Sequence, residues 1–572
     1  MPKPVSLAPD GSAWPLPAES DYPAEFARVK ALADAARAEG REIVVVMGVG
    51  FVGAVMAAIV ADTAFPDGRP AKFVIGMQRP SARSFWKIPF LNRGESPVRA
   101  EDPEVAPLIA RCVLEKKSLT ATYTYEVLTL ADVVIVDVQL DYAKKDLGNV
   151  RSGHVEMGAL EESLEIIARN IPPHALVLIE TTVAPGTTEQ VALPTMRKIF
   201  RQRGIPTDPL LAHSYERVMP GRQYVASIRD FWRVCSGVNE AAREKVVKFL
   251  NEVLHTEQYP LTVLDRPIES ETAKIVENSY RATILAFLDE WSLFAERNGI
   301  DLVKVIEAVR RRPTHSNLIF PGPGIGGYCL PKDGGLGVWA HRHILGFDDD
   351  IFRFTPLAID VNDTRALHAA QLVRDALKEL GVPVAGAEVL VLGASYREDV
   401  GDTRYSGSEV LIRKLAEMGA EIRVHDPYVD IWWELANQED YPGHSKAVFF
   451  RNQKKLKDLK VEKDLDAALA GADAVVLAVR HAPYLDLDPD AVVAAARKSP
   501  SPAPTPGGTG IPTGPEARRD TPATLPEKPL AVVDCFGILD DARIRRYLEL
   551  GCEVKGLGRG HIHRLRPAQS RL

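Results

Sequence analysis

A short β-branched run, Glu42-Ile-Val-Val-Val-Met47, leads without a break into Gly48-Val-Gly50-Phe-Val-Gly53 and then into the apolar stretch from Ala54 to Phe65. Few segments constrain a fold as tightly. A run that is apolar on both faces is a strand buried on both sides, as in a parallel sheet covered by helices. Gly48 permits a tight turn, Gly50 lets backbone approach a pyrophosphate, and Gly53 lets helix and strand pack together. The helix that follows aims its N-terminal N–H groups at the same spot. Gly48, Gly50, Phe51, Val52 and Gly53 are therefore the expected seat of a dinucleotide.

The next strand, Lys72 to Gly76, should end on an acidic residue for a plain NAD ribose. It ends on Met77-Gln78-Arg79. Gln78 can hydrogen-bond a ribose hydroxyl and Arg79 or Arg83 can take a 2′-phosphate, so NAD is expected with NADP an open alternative. The runs Ala131–Asp137 and Ala175–Glu180, separated by a helical Gly158–Ile171, continue the β-α alternation of a doubly wound sheet. The second leads into Thr181-Thr-Val-Ala-Pro-Gly-Thr-Thr188, a hydroxyl-rich turn at the carboxyl end of a strand, where such sheets bind ligands. A later loop, His213 to Arg222, gathers Glu216, Arg217 and Arg222 around Pro-Gly.

At 572 residues the chain is long enough for roughly three or four domains. A net charge of −7 offers no attraction to nucleic acid or an anionic membrane, so neither is an expected partner. The five cysteines are scattered without a C-x-x-C pair, which argues for reduced thiols, no metal knuckle and a cytoplasmic protein. No stretch reads as a signal peptide or a membrane span. Residues 1 to about 22 read as Pro-rich and irregular, followed by a helix ending at Gly40.

Helical periodicity takes over near Ile268 and runs to Asn298-Gly299. On this helix Lys274 and Asn278 are four apart and share a face; taken alone, such a pair reads as solvated, although a cation beside an amide suits an oxyanion. Next comes Pro321-Gly-Pro-Gly-Ile-Gly-Gly-Tyr-Cys-Leu-Pro-Lys-Asp333. Cys329 is a potential nucleophile, and Asp333 can hold or deprotonate a water. From about Ala387 a second β-α series begins, but Gly393-Ala-Ser-Tyr-Arg-Glu lacks the pyrophosphate glycines, so a different ligand is expected, with Arg397 and Arg404 available for its phosphates. Residues 432–460 read as an insertion whose Lys454-Lys455-Leu-Lys457 is a solvated face, and the Pro/Gly/Thr/Ser-rich stretch 499–528 as a disordered excursion.

The order of these motifs, with Tyr215-Glu-Arg-Val-Met-Pro-Gly221, Lys274-Ile-Val-Glu-Asn-Ser-Tyr-Arg-Ala282, Asp399-Val-Gly-Asp-Thr-Arg404 and Val424-His-Asp-Pro427, resembles the UDP-glucose/GDP-mannose dehydrogenase family over about residues 41–565. The resemblance implies an α/β fold of two Rossmann-like domains joined by a central helical dimerisation domain. The expected divisions are an extension at 1–40, an NAD-binding domain at 41–266, the central domain at 267–365 and a UDP-sugar domain at 366–572. It implies a homodimer or higher homo-oligomer and a four-electron, NAD-dependent oxidation of a sugar C6 alcohol to the uronic acid, feeding surface polysaccharide synthesis. By the same resemblance Cys329 forms a thiohemiacetal and then a thioester, Lys274 and Asn278 stabilise oxyanions, and Asp333 and Thr182 position water. Glu216 serves hydrolysis, and Thr182 also borders the cofactor. Glu216, Arg217, Lys274, Asn278, Gly326, Gly327, Tyr328, Lys332 and Arg404 hold the UDP-sugar, Arg404 reaching from a partner subunit.

Three positions depart from the family pattern: Gln78 in place of the cofactor acid, Tyr328 where His or Ser is usual, and Arg397 for Lys. The Glu-Arg-x-x-Pro-Gly loop and Pro-Gly-Pro-Gly resemble the branch that oxidises UDP-N-acetylhexosamines, whereas Cys329-Leu-Pro-Lys-Asp333 resembles the UDP-glucose branch; a UDP-N-acetylhexosamine is the expected substrate, with UDP-glucose next. A two-electron NAD(P)-dependent hydroxy-acid dehydrogenase and a non-catalytic nucleotide-sugar-binding protein are the alternatives. The first needs neither Cys329 nor a second nucleotide-type domain, and the second leaves Lys274, Cys329 and Asp333 without a use.

Overall fold

The computed structural model describes residues 4–438, 447–451, 453–498 and 528–566. The expected excursion at 499–528 lies, apart from Lys528, outside the described residues, as does part of the 432–460 insertion. The chain divides into two compact units. One comprises residues 1–143, 153–279 and 332–353, the other 144–152, 280–331 and 354–572.

In the first unit the N-terminal stretch is not irregular as expected. Val5–Leu7 (β1) pairs antiparallel with Ala13–Pro15 (β2). The turn between them is closed by Gly11 N–H on the Ala8 carbonyl at 3.0 Å and by Ser12 N–H on Asp10 Oδ1 at 2.8 Å. An Asp-Gly turn overrides the Pro-rich composition here, with Gly11 at φ +85° supplying the left-handed residue. The helix Tyr22–Ala38 follows as expected and buries Val29, Ala33 and Ala36.

The main sheet of this unit contains Glu42–Met47 (β3), Lys72–Met77 (β4), Leu119–Thr122 (β5) and Val133–Val136 (β6). A two-stranded hairpin, Asp141–Ala143 (β7) with His154–Glu156 (β8), stands apart from it. Leu176–Ile179 (β9), Leu210–His213 (β10), Val234–Gly237 (β11) and Thr262–Val263 (β12) complete the sheet. The order is β12-β11-β10-β9-β6-β3-β4-β5, parallel throughout except between β10 and β11. The chain winds outward from β3 through β4 to β5, then returns to β6 and winds the other way. The switch point between β3 and β6 is where doubly wound sheets open a crevice for ligands. Alternate strand residues such as Val44, Val46, Val133 and Ile135 pack on the helix Phe51–Asp62, which is buried almost throughout. That helix starts at Phe51, earlier than the apolar stretch suggests, because Gly50 is its N-cap.

The second unit holds a six-stranded parallel sheet. Its strands are Glu388–Leu392 (β13), Glu421–His425 (β14), Val461–Glu462 (β15), Ala474–Leu477 (β16), Ala531–Asp534 (β17) and Glu553–Gly556 (β18). They lie in the order β15-β14-β13-β16-β17-β18. Val389, Val391, Val476 and Val533 face one hydrophobic cluster; Leu390, Leu392, Val475 and Val532 face another. This two-sided burial is what the unbroken aliphatic runs predict. In the basic run, Lys455 is exposed as expected while Leu456 is buried. The long helix Pro267–Arg297 passes from the first unit into the second along its length. Among the described residues no helix is long and apolar enough to cross a membrane.

Val29, on the inner face of the Tyr22–Ala38 helix, is fully buried. Val29→Asp would bury an unpaired carboxyl and should cost roughly 2 kcal/mol or more. A fall in thermal melting midpoint is expected that exposed Ala31→Asp does not show.

Candidate active site

The turn after β3 is built as its glycines require. Gly48 has φ +102°, and a Cβ there would lie 2.7 Å from the Asp137 carbonyl oxygen. A Cβ on Gly53 would lie 1.9 Å from the Gly48 carbonyl oxygen. At Gly50 a Cβ would meet nothing within 4 Å. Two glycines thus close the packing, while the middle one leaves its backbone open to a ligand, which is the fit a dinucleotide pyrophosphate requires. Gln78, at the end of β4, accepts the Val49 N–H at 3.2 Å, so the residue in place of the acid lies against the glycine turn. Phe51 stacks on Tyr224, ring centroids 4.7 Å apart. Arg79 forms an exposed ion pair with Glu162 at 3.3 Å.

The turn after β9 is held from the long helix. Glu271, fully buried, accepts the Gly186 N–H at 2.6 Å, the Thr188 N–H at 2.8 Å and the Thr188 hydroxyl at 2.6 Å. Burial nonetheless pushes its carboxyl up to about 7, against these hydrogen bonds. One helical turn further on, Lys274 is buried rather than solvated and donates to the Glu216 carbonyl oxygen at 2.9 Å, with Glu216 Oε1 at 3.7 Å. Its ammonium also lies 5.3 Å from the centre of the Tyr215 ring. Asn278, one turn beyond, donates to Asp333 Oδ2 at 2.6 Å, and Lys332 donates to Asp333 Oδ1 at 2.7 Å. Lys332 and Asp333 have no exposed surface. The reading of Lys274 and Asn278 as an ordinary solvated pair therefore fails. The face they share is turned inward, Lys274 holding Glu216 of the loop after β10 and Asn278 holding Asp333 at the start of the helix Asp333–His343. Thr182 is buried, and Arg217 pairs with Glu277 at 3.2 Å.

The second unit assembles the other expected residues. Gly327 N–H donates to the Arg404 carbonyl at 2.9 Å, and a Cβ on Gly326 would lie 2.3 Å from Tyr396 Cβ. Arg404 grips Asp402 with Nε on Oδ1 at 2.9 Å and Nη2 on Oδ2 at 2.6 Å, and its guanidinium lies 5.7 Å from the centre of the Tyr328 ring. Burial pushes the Tyr396 phenol up, with Asp402 adding to the effect and the half-buried Cys329 contributing a smaller push. Asp399 and Tyr405, both with positive φ, bracket this loop. Such strain in non-glycine residues is characteristic of ligand-holding segments.

Sequence reasoning passed over Glu271, Asp137, Glu180 and Arg233. The last three cluster below the glycine turn, where the buried Arg233 and Glu180 pair and the half-buried Asp137 turns its Oδ2 out of solvent contact.

Three consecutive segments match known domains. Residues 42–255 match the NAD binding domain of the UDP-glucose/GDP-mannose dehydrogenase family, 268–363 its central domain and 390–502 its UDP binding domain. The chain belongs to this family. It is an NAD-dependent oxidoreductase of a nucleotide sugar, and the fold agrees with the Rossmann-like expectation. A UDP-N-acetyl-D-mannosamine dehydrogenase of Pyrococcus horikoshii is 29% identical over 317 residues, covering 55% of this chain and 70% of the relative. The enzyme of that name from Campylobacter jejuni is 25% identical over 369 residues, covering 64% and 81%. The crystal structure of an NDP-N-acetyl-D-galactosaminuronic acid dehydrogenase from Methanosarcina mazei Go1 superimposes with a TM-score of 0.68 at 27% identity. It covers 93% of this chain and 98% of that one.

Glu271 has a folded value near 7 against an ordinary value of 4.5. The folded state therefore holds a proton that the unfolded chain has lost between those pH values. This contribution is present below pH 4.5 and is lost as pH rises through 7. Relative to Glu271→Gln, wild-type stability should rise by up to about 3 kcal/mol between pH 8 and pH 4.5, as measured by denaturant unfolding.

Proposed function

We propose that the chain oxidises the C6 alcohol of a UDP-N-acetylhexosamine to the uronic acid through a covalent intermediate on Cys329. The observation that carries this reading is the inward-facing pair on the long helix, Lys274 against Glu216 and Asn278 against Asp333. A cation and an amide held beside two acids out of water are groups that could stabilise an oxyanion and manage the proton of a water. The relatives' names favour an N-acetylhexosamine over glucose, in agreement with the Glu216-Arg217-Val-Met-Pro-Gly221 loop.

NAD⁺ held by the Gly48–Gly53 turn would supply the hydride acceptor for both oxidations. The chain's own residues do the rest. The Cys329 thiolate adds to the C6 aldehyde to give a thiohemiacetal, whose oxygen Lys274 and Asn278 stabilise. Loss of hydride from the thiohemiacetal carbon leaves a thioester. A water held by Asp333 and Thr182, with Glu216 assisting, adds to its carbonyl, and the C–S bond breaks to release the acid and regenerate the thiolate. Gly326, Gly327, Tyr328, Lys332, Arg217 and Arg404 hold the nucleotide sugar. Gln78 takes over the ribose contact, and Gly48 to Gly53 cradle the NAD phosphates. The product is an activated acidic sugar suited to surface polysaccharide synthesis, and the enzyme acts in the cytoplasm.

The chain works as a homodimer or a higher homo-oligomer. Phe287, Trp291 and Phe294, on the second-unit part of the long helix, are about half exposed. Three aromatic rings on one helical stripe form a patch that a second copy would cover.

With NAD⁺ and UDP-N-acetylmannosamine, wild type should yield two NADH per acid formed. Cys329→Ser should lower acid formation by roughly 10³-fold or more while still binding NADH. Wild-type turnover in the variant would sink the covalent route; a wild type that ignores N-acetylhexosamines but oxidises UDP-glucose would correct only the sugar. Trp291→Glu should shift sedimentation from dimer toward monomer.

A further inference from the structure

Acid groups beneath the glycine turn are left over by the chemistry above. Asp137 directly follows β6 and Glu180 directly follows β9, its parallel neighbour. The backbone N–H groups of Glu180 and Thr181 both reach the Val136 carbonyl, each at 3.2 Å. Glu180 has no exposed surface; Asp137 is half-buried as a residue, but its Oδ2 is out of solvent contact and lies 3.0 Å from where a Cβ on Gly53 would be. Among the described residues no donor reaches Asp137 Oδ2 or Glu180 Oε2. The parallel register that pairs Val136 with Ile179 brings Asp137 and Glu180 to the same level one residue further on, each with this one carboxyl oxygen that no donor reaches. Two carboxylates cannot hydrogen-bond without a proton between them.

We propose that Asp137 and Glu180 share one proton, and that this bond clasps the glycine turn of the cofactor site to the Thr181–Thr188 turn. Neither is a catalytic residue; the pair positions two ligand-facing turns. The inference rests on the NAD site and not on the identity of the sugar. The charges around the pair come from four directions. Arg233, at the entry to β11, pairs with Glu180 and has Nε and Nη1 buried without an acceptor. Glu216 lies beyond β10 and Lys274 on the long helix. His213, at the end of β10, is pushed down to about 3 by burial and by the charges of Lys274 and Arg233, so it supplies no further cation. Three acids thus face two cations, and one retained proton balances the cluster.

Withdrawal from water drives the Asp137 carboxyl well above the ordinary range, with Glu180 and Glu216 pushing it further. Burial raises Glu180 too, although Arg233 opposes the shift. Without the shared proton an extra negative charge would lie beneath the open Gly50, where an anionic pyrophosphate must dock.

Infrared spectra of the full chain at pH 9 test this directly, since Glu271, Asp289 and Glu434, with values about 7, are ionised there. Wild type should retain a carbonyl stretch of a protonated carboxyl that both Asp137→Asn and Glu180→Gln lose while keeping native circular dichroism. Asp137→Ala should weaken NADH binding by about tenfold, the loss of one hydrogen bond, and Asp137→Asn, which can still donate to Glu180, should restore it to within about twofold. Absence of the band from wild type at pH 9, its persistence in both variants, or an asparagine variant no better than alanine would each overturn the proposal. Should either substitution prevent folding, the other variant and the wild-type spectrum still decide.

Discussion

The Gly48 carbonyl oxygen occupies the place where a side chain at residue 53 would begin, and the first unit depends on that contact. It lets the helix Phe51–Asp62 lie directly on β3, fixes the turn at the switch point, and leaves the backbone at Gly50 open. Any side chain at Gly53 would force helix and strand apart. Asp137 closes the same turn from the other strand, its carbonyl against Gly48 and its carboxyl against Gly53. Fold and cofactor cradle are one packing solution here.

Much of this was legible in the residues. Unbroken aliphatic runs marked β3, β6, β9, β13, β16 and β17, because strands buried on both faces need no alternation. Short strands were not legible. Val234–Gly237 and Glu553–Gly556 carry too few apolar residues to stand out, and they are strands because a neighbour offers them a ladder. The N-terminal hairpin was hidden by its prolines, although Pro9-Asp-Gly-Ser12 holds its turn signal.

The site divides in the same way. Lys274, Asn278, Cys329 and Asp333 stood out by residue type and spacing, but whether a helical face looks inward is a tertiary fact, so Lys274 and Asn278 read as solvated although the Glu216 loop and the helix beginning at Asp333 pack against them. Asp137 and Glu180 did leave a signal. Each ends an apolar run at the carboxyl end of a parallel strand, where a carboxylate has no water and must find a proton or a cation. Glu271 left none, because its partners are backbone N–H groups that no sequence pattern announces.

At the rim of the first sheet, β5 has one strand neighbour and one bare side. Asn92 covers that side by accepting the Ala121 N–H at 2.7 Å and donating to the Ala121 carbonyl at 3.0 Å. Arg28, from the helix Tyr22–Ala38, adds a second donor to the same carbonyl at 3.2 Å. One side-chain amide thus imitates the donor and acceptor of a further strand, and the N-terminal helix guards it. An exposed ladder is a template on which other chains can stack. Here Asn92 and Arg28 already occupy both backbone groups of Ala121, so a further strand would find this rung of the edge taken.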